Sequence, residues 1–365
     1  MHTVLILGGY GFFGSRICAL LARDSMIRIL IGGRNLSKAV ALEQSLGLPP
    51  KSGVQVDAHS VSFHKQLVQL AVNTVIHTAG PFQGQDYAVA RAAIEAGCHY
   101  IDLADARQFV AGIESLDNPA KAKGVTLISG ASSVPGLSSA VVERLIPQFK
   151  NLTSIGLGIS SGARAPGLAT VRGIFGYCGK PFSHLEDGAW VTTYGWSDLR
   201  RYHFPSPLGS RWLSSCDIPD LDLFPRKFPS LQTTTFHAGF ASDLGHLLVW
   251  SIARLVKVGF FRTALPFAQP LNWLSQRIEG LVSDKGGMFV KLTGEDHDGK
   301  SKSATWHLIA AQNHGPNIPC AGSVALVRKL ARGEQLPLGA MACVGLLTVD
   351  EYLAPLKELN IWEIS

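Results

Sequence analysis

Charge is scarce in this chain: Asp, Glu, Lys and Arg make up only 16% of its 365 residues. A disordered protein needs the opposite balance, and with 46% hydrophobic residues this one can bury a large core. The formal net charge of +6 has no run of lysines or arginines behind it, so a nucleic-acid face is not expected. The six cysteines, at 18, 98, 178, 216, 320 and 343, contain no Cys-x-x-Cys pair, which argues against a disulfide framework and a structural zinc site. No metal is expected. The N-terminus lacks a leader pattern, because Thr3 to Leu7 enters a strand and meets glycine at Gly8. Internal repeats and low-complexity tracts are also missing. These absences leave a cytoplasmic globular protein, long enough for two domains.

The first third alternates strand and helix patterns. Strands are expected at Thr3 to Leu7, Arg28 to Ile31, Val54 to Val56, Thr74 to His77, His99 to Leu103 and Val125 to Ile128. Between them, Ile17, Leu20 and Leu21 share a helical face, Asn35 can cap a helix that Gly47 stops, and Gly97 ends a helix over Ala88 to Ala96. Such alternation requires crossover helices and therefore a parallel sheet. The expected fold class is α/β: an N-terminal Rossmann domain with a doubly wound parallel sheet over 1–135. Past Phe149 the pattern changes, with strand-like runs at Leu152 to Ser160 and Met288 to Thr293 and proline-rich loops at Phe204 to Pro207 and Phe224 to Pro229. Residues 136–365 read as a second, α+β mixed-sheet domain for substrate binding and homodimer formation, with a C-terminal segment able to pack back on the first.

Gly8-Gly9-Tyr10-Gly11-Phe12-Phe13-Gly14 sets Gly-x-Gly-x-x-Gly between a strand and a helix. There the glycines allow a tight turn and close approach of a pyrophosphate, and the helix N-terminus offers unpaired N–H groups to it. After the second strand a NAD-binding domain places an acid on the ribose. This chain has Ile31-Gly32-Gly33-Arg34-Asn35 instead, with Ser37 and Lys38 one turn further on. Arg34 suits a 2′-phosphate, so the expected cofactor is NADP(H). Asp57, after the third strand, is a candidate adenine neighbour, and Thr78-Ala79-Gly80-Pro81-Phe82 a loop near the nicotinamide half.

Gly8 to Gly14, Ala79 to Phe82, and Ala92-Ala93-Ile94-Glu95-Ala96-Gly97-Cys98-His99-Tyr100-Ile101-Asp102-Leu103 together resemble the saccharopine dehydrogenase (NADP-binding) family. Ser129 to Ser138 is similar to that family's Gly-x-x-Pro-Gly turn. The likeness covers about the first 145 residues. It implies a Rossmann domain joined to a mixed-sheet domain, with hydride transfer to or from a C–N or carbonyl carbon of a small molecule at their junction. A short-chain dehydrogenase would need Tyr-x-x-x-Lys, yet Tyr87 meets Arg91 and Tyr177 meets Pro181.

Catalytic candidates are Asp102 and Asp105 at the end of the fifth strand, with Tyr100 and His99 beside them, and Tyr177 in the second half. Asp102 is equally readable as a carboxylate that fixes a neighbouring loop. Ser132 and Ser133 suit a substrate carboxylate or a helix cap. Arg164, Arg172, Lys180, His237 and His314 are further substrate-side candidates. Leu244 to Leu274 is rich in Leu, Val, Trp and Phe but interrupted by Arg254 and Lys257, too early for a membrane span. It reads as a buried or dimer-facing amphipathic helix, or as an interfacial one making peripheral membrane contact. The rival to an NADP-dependent oxidoreductase is a protein that binds NADP(H) as a redox sensor without turnover.

Overall fold

The computed structural model describes every residue except 163–166, 279, 281 and 365. The chain opens with β1 (His2–Leu7), α1 (Gly14–Leu21), β2 (Ile27–Gly33), α2 (Leu36–Ser45), β3 (Gly53–Gln55) and α3 (Phe63–Gln69). It continues with β4 (Thr74–His77), α4 (Ala88–Ala96), β5 (His99–Asp102), α5 (Arg107–Gly112), α6 (Asp117–Lys123) and β6 (Thr126–Ser129). Local chemistry sets several of these limits. Asn35 Oδ1 accepts the Lys38 N–H and caps α2, and Gly97, with φ +71°, ends α4 in the left-handed conformation. All strand pairs here are parallel, β1 running beside β2 from His2–Ile27 to Leu7–Gly32 and beside β4 from Val4–Thr74 to Leu7–His77. Val4 to Leu7 are buried, as a strand covered on both faces must be.

A second series forms its own sheet. It comprises α7 (Ser138–Leu145), β7 (Asn151–Ser160), α8 (Leu168–Tyr177), β8 (Pro181–Glu186), β9 (Ala189–Tyr194), β10 (Arg200–Phe204) and β11 (Gly209–Ser215). Then follow α9 (Asp220–Lys227), β12 (Thr233–Gly239), α10 (Asp243–Lys257), α11 (Ala268–Ile278), β13 (Gly286–Glu295) and β14 (Ser301–Ala310). The sheet order β10-β11-β12-β7-β13-β14 is mixed: β7 and β12 are parallel and the other pairs antiparallel. Its core is aromatic at one end, where Tyr202 stacks on Phe289 at 3.9 Å. Phe224 and Pro225, expected in a loop, lie in α9; the proline sits near the helix end, where few backbone bonds are at stake.

The chain then returns. After α12 (Ile318–Ala331), β15 (Gly339–Ala342) pairs with β6 in parallel, and α13 (Val349–Leu353) follows, its N-terminus closed by a Thr348–Glu351 capping box. β16 (Ile361–Ile364) joins the edge of the mixed sheet beside β14. The first sheet is thus β15-β6-β5-β4-β1-β2-β3, the doubly wound order with one added strand. Two compact units result: Met1–Leu137 with Asn317–Leu356, and Ser138–Pro316 with Lys357–Ser365. The first unit thus runs to Leu137, close to the expected limit at 135, and the C-terminal segment that groups with it is 317–356.

The stretch 244–274 contains most of α10 and the start of α11. His246 is wholly buried on α10 and meets Ser214 Oγ at 3.0 Å, whereas Leu244 is 79% exposed. Leu244, Leu248 and Leu255 face outward together with Arg254 and Lys257, while Val249, Ile252 and Val256 pack inward. Among the described residues no helix is long and apolar enough to cross a membrane.

Candidate functional site

In an open parallel sheet ligands collect at the carboxyl ends of the strands where their order reverses, here between β1 and β4. The turn after β1 fills that place. Gly8 has φ +81°, and a Cβ there would come 2.9 Å from Thr78 Oγ1, which donates to Leu7 O at 2.9 Å. A Cβ on Gly9 would press Ile6 O at 2.8 Å, and one on Gly14 would enter the backbone of Gly8 and Gly9. A Cβ is excluded at Gly8, Gly9 and Gly14, which keeps the turn tight enough for its backbone to approach a bulky anion beside the start of α1. Phe12 and Phe13 pack edge to face at 5.1 Å, and Arg16 lies over the Phe12 ring.

Tyr10 reaches from this turn to the end of β2. Its hydroxyl accepts the Asn35 N–H at 3.0 Å, and its ring sits where a Cβ on Gly33 would clash. Arg34, Ser37 and Lys38 are exposed around the start of α2, and Gln55 Nε2 donates to Arg34 O at 3.2 Å. Asp57 is exposed and accepts the His59 N–H. Two cations and a hydroxyl therefore share one helix start.

The Thr78–Phe82 loop is clamped from below. Gln85 Nε2 donates to both Ala79 O (2.9 Å) and Pro81 O (2.7 Å), while Phe82 is buried against His77 and Phe109. Gly80–Pro81 is a cis peptide. Beneath the loop, register sets His77 opposite Asp102, and His77 Nδ1 meets the Tyr100 hydroxyl at 3.0 Å. Burial lowers the His77 pKa to about 4, so the ring is neutral, and burial raises the Tyr100 phenol well above its ordinary range.

Asp102 is 0% exposed. Its Oδ1 accepts from Ala104 N (2.9 Å), Ser129 Oγ (3.0 Å) and Gly130 N (2.8 Å), tying the loop after β5 to the loop after β6. Burial raises its carboxyl to about 6, against these donors, which favour the charged form. Of the catalytic candidates, Asp102 and Tyr100 both lie in the core, where Asp102 ties two loops together and Tyr100 meets His77. Asp105 is exposed, within 3.4 Å of Gln83 Nε2. His99 Nδ1 accepts the Thr126 N–H at 3.1 Å, a strand contact. Ser132 and Ser133 are buried in the turn that precedes α7. His77 and Gln85 escaped the sequence reading, although strand-end register and the spacing from Gly80-Pro81-Phe82 point to both.

In the second unit Tyr177 ends α8 and packs where a Cβ on Gly195 would fall; it hydrogen-bonds Cys216. Arg172 and Lys180 are exposed, and Lys180 Nζ donates to Arg262 O. His237 is buried 3.8 Å from Asp198 Oδ2, and burial lowers its pKa to about 4. His314 Nδ1 accepts the Asn360 N–H. Arg164 lies outside the described residues.

Residues 4–128 match the sequence profile of the Saccharopine dehydrogenase NADP binding domain. Those residues form a domain of that kind. Saccharopine dehydrogenase (L-Glu forming) from Saccharomyces cerevisiae has a similar fold, with TM-score 0.71 and 15% identity over 100% of both chains. An amine dehydrogenase from Mycobacterium smegmatis is more distant, with TM-score 0.49 and 12% identity over 96% of this chain and 95% of that one. No curated protein sequence matches the chain. Residues 4–128 are thus an NADP-binding domain of the saccharopine dehydrogenase type, and the fold of the whole chain is similar to that of the yeast enzyme.

The residues present fit that cofactor. The NADP-binding domain's turn needs glycine at 8, 9, 11 and 14, where a Cβ would strike neighbouring atoms, and Arg34, Ser37 and Lys38 offer donors for a phosphate. No carboxylate stands between Arg28 and Leu42 to meet a bare ribose.

Proposed function

We propose that this saccharopine dehydrogenase-like oxidoreductase moves a hydride between NADP(H) and a C–N or carbonyl carbon of a small molecule. The glycine turn facing the Thr78–Phe82 loop at the ends of β1 and β4 carries this reading. Bound NADPH supplies the hydride. The chain's own part is positional: Thr78 ties its loop to β1, Gln85 holds the two exposed carbonyls of that loop, and Asp102 fixes the next two loops. With Tyr100 and Asp102 buried, Asp105 is the one acid at the end of β5 exposed for proton exchange. A cytoplasmic location and a homodimer belong to the same proposal.

The burial of Tyr100 and Asp102 favours a second reading, in which NADP(H) is bound without turnover. NADPH consumption followed by absorbance, with cyclic imines, 2-oxo acids plus amines, and ketones, separates the two. Turnover that falls at least tenfold in Asp105→Asn with NADPH binding retained supports hydride transfer. Saturable NADPH binding with no consumption across the panel favours the sensor.

A further inference from the structure

Half of the large hydrophobic side chains left exposed among the described residues fall within 244–274. On α10, Leu244, Leu248, Leu255 and Val258 follow four- and three-residue helical steps through Ser251 and form one outward stripe. The opposite face is also apolar and packs inward through Val249, Ile252 and Val256. A helix that is apolar on both sides has one face without a partner in this chain.

Beneath that face is a cavity of about 140 Å³ between α8, α10 and α11. Val171, Ile174, Phe175 and Val249 line it, and so do Leu248 and Leu274, which are 40% and 42% exposed. The same two leucines are thus cavity wall and outer surface. An apolar cavity of roughly 150 Å³ accepts a benzene-sized group of about six carbons. The segment that forms its outer wall carries Arg254, Lys257, Arg262 and Arg277 against one described carboxylate, Asp243 at the start of α10.

We infer that this cavity binds the alkyl chain of an amphiphile whose head group is anionic. The apolar walls take the chain, the leucine stripe covers its exposed length, and the cations around it favour a negative head. A second copy of the chain fits less well, since a two-fold contact would set the same excess of cations against itself. The site is independent of the cofactor turn and does not rest on the hydride-transfer reading.

The test uses the full chain. Decanoate, kept below its micelle concentration, is titrated by calorimetry into the wild type, Gly245→Leu and Leu248→Glu. Gly245 borders the cavity and a Cβ there meets only Ser242, at 3.3 Å, so the leucine fills the space; Leu248→Glu changes a half-exposed wall residue. Saturable binding, weakened at least tenfold in both variants with the NADPH dissociation constant unchanged, is the expected result. Co-sedimentation with phosphatidylglycerol vesicles, lost in Leu248→Glu, would make a membrane the source of the chain; decanoate binding without it would make the source a free amphiphile. No saturable decanoate binding by wild type that binds NADPH overturns the inference. So does equal binding in both variants, or a dimer that Leu248→Glu dissociates in the absence of decanoate binding.

Discussion

Asp102 ends β5 with one oxygen serving three buried donors, two of them backbone N–H groups. Truncation to alanine strands those donors, at a cost of about 2–4 kcal/mol by the penalty for unmet buried groups, and a lowered urea midpoint checks this. Asp220 is a second buried acid, bonded to Ser138 Oγ, with its carboxyl raised by burial to about 7 from 3.8. A raised carboxyl stabilises the fold while protonated, so its contribution is full below pH 3.8 and lost as pH rises through 7. Asp220→Asn removes that dependence. Wild type minus variant stability should fall between pH 4 and 8 by an amount on the order of 3 kcal/mol, and no change across that range would contradict the burial argument. The sequence located Asp102 at a strand end but not its burial, which depends on Ser129 and Gly130, 27 and 28 residues later.

Short elements divide by whether their signal is local. Thr74–His77 is bounded by its own pattern, and α2 and α4 by Asn35 and Gly97. Asn35→Ala should cost about 1 kcal/mol, the usual worth of an N-cap, read as a lower thermal midpoint. In the turn after β1, Gly8→Ala combines a positive φ with a clash against Thr78 Oγ1. Overpacking of about 1–3 kcal/mol should weaken NADPH binding roughly five- to 150-fold, and unchanged affinity would mean that the turn is not the phosphate cradle. β15 carries no such local signal. Three small residues and Met341 at Gly339–Ala342 become a strand only because β6 is there to pair with them. Helix α9 was hidden by Pro225, which reads as a breaker until its place near the helix end is known.

The whole molecule is legible where neighbours in sequence are neighbours in space. The Rossmann unit is mostly built from successive β-α steps, so pattern alone reached it. In the second unit β7 pairs with β12 and β13, roughly 80 and 135 residues away, and no periodicity announces such partners. The return of 317–356 is of the same non-local kind: α12 covers α1 through Arg328–Asp24, and its Gly322 presses on Ala131. A chain ended after Pro316 would bare the β6 edge and the apolar side of α1. It should aggregate by light scattering where the full chain does not. The central claim, an NADP(H) site read by Arg34, is tested most directly by fluorescence titration of NADPH and NADH into wild type and Arg34→Ala. A charged hydrogen bond contributes about 1.5–3 kcal/mol, so the variant should lose NADPH affinity by about 10- to 150-fold with NADH binding unchanged. Wild type that binds NADH as tightly as NADPH would contradict the account.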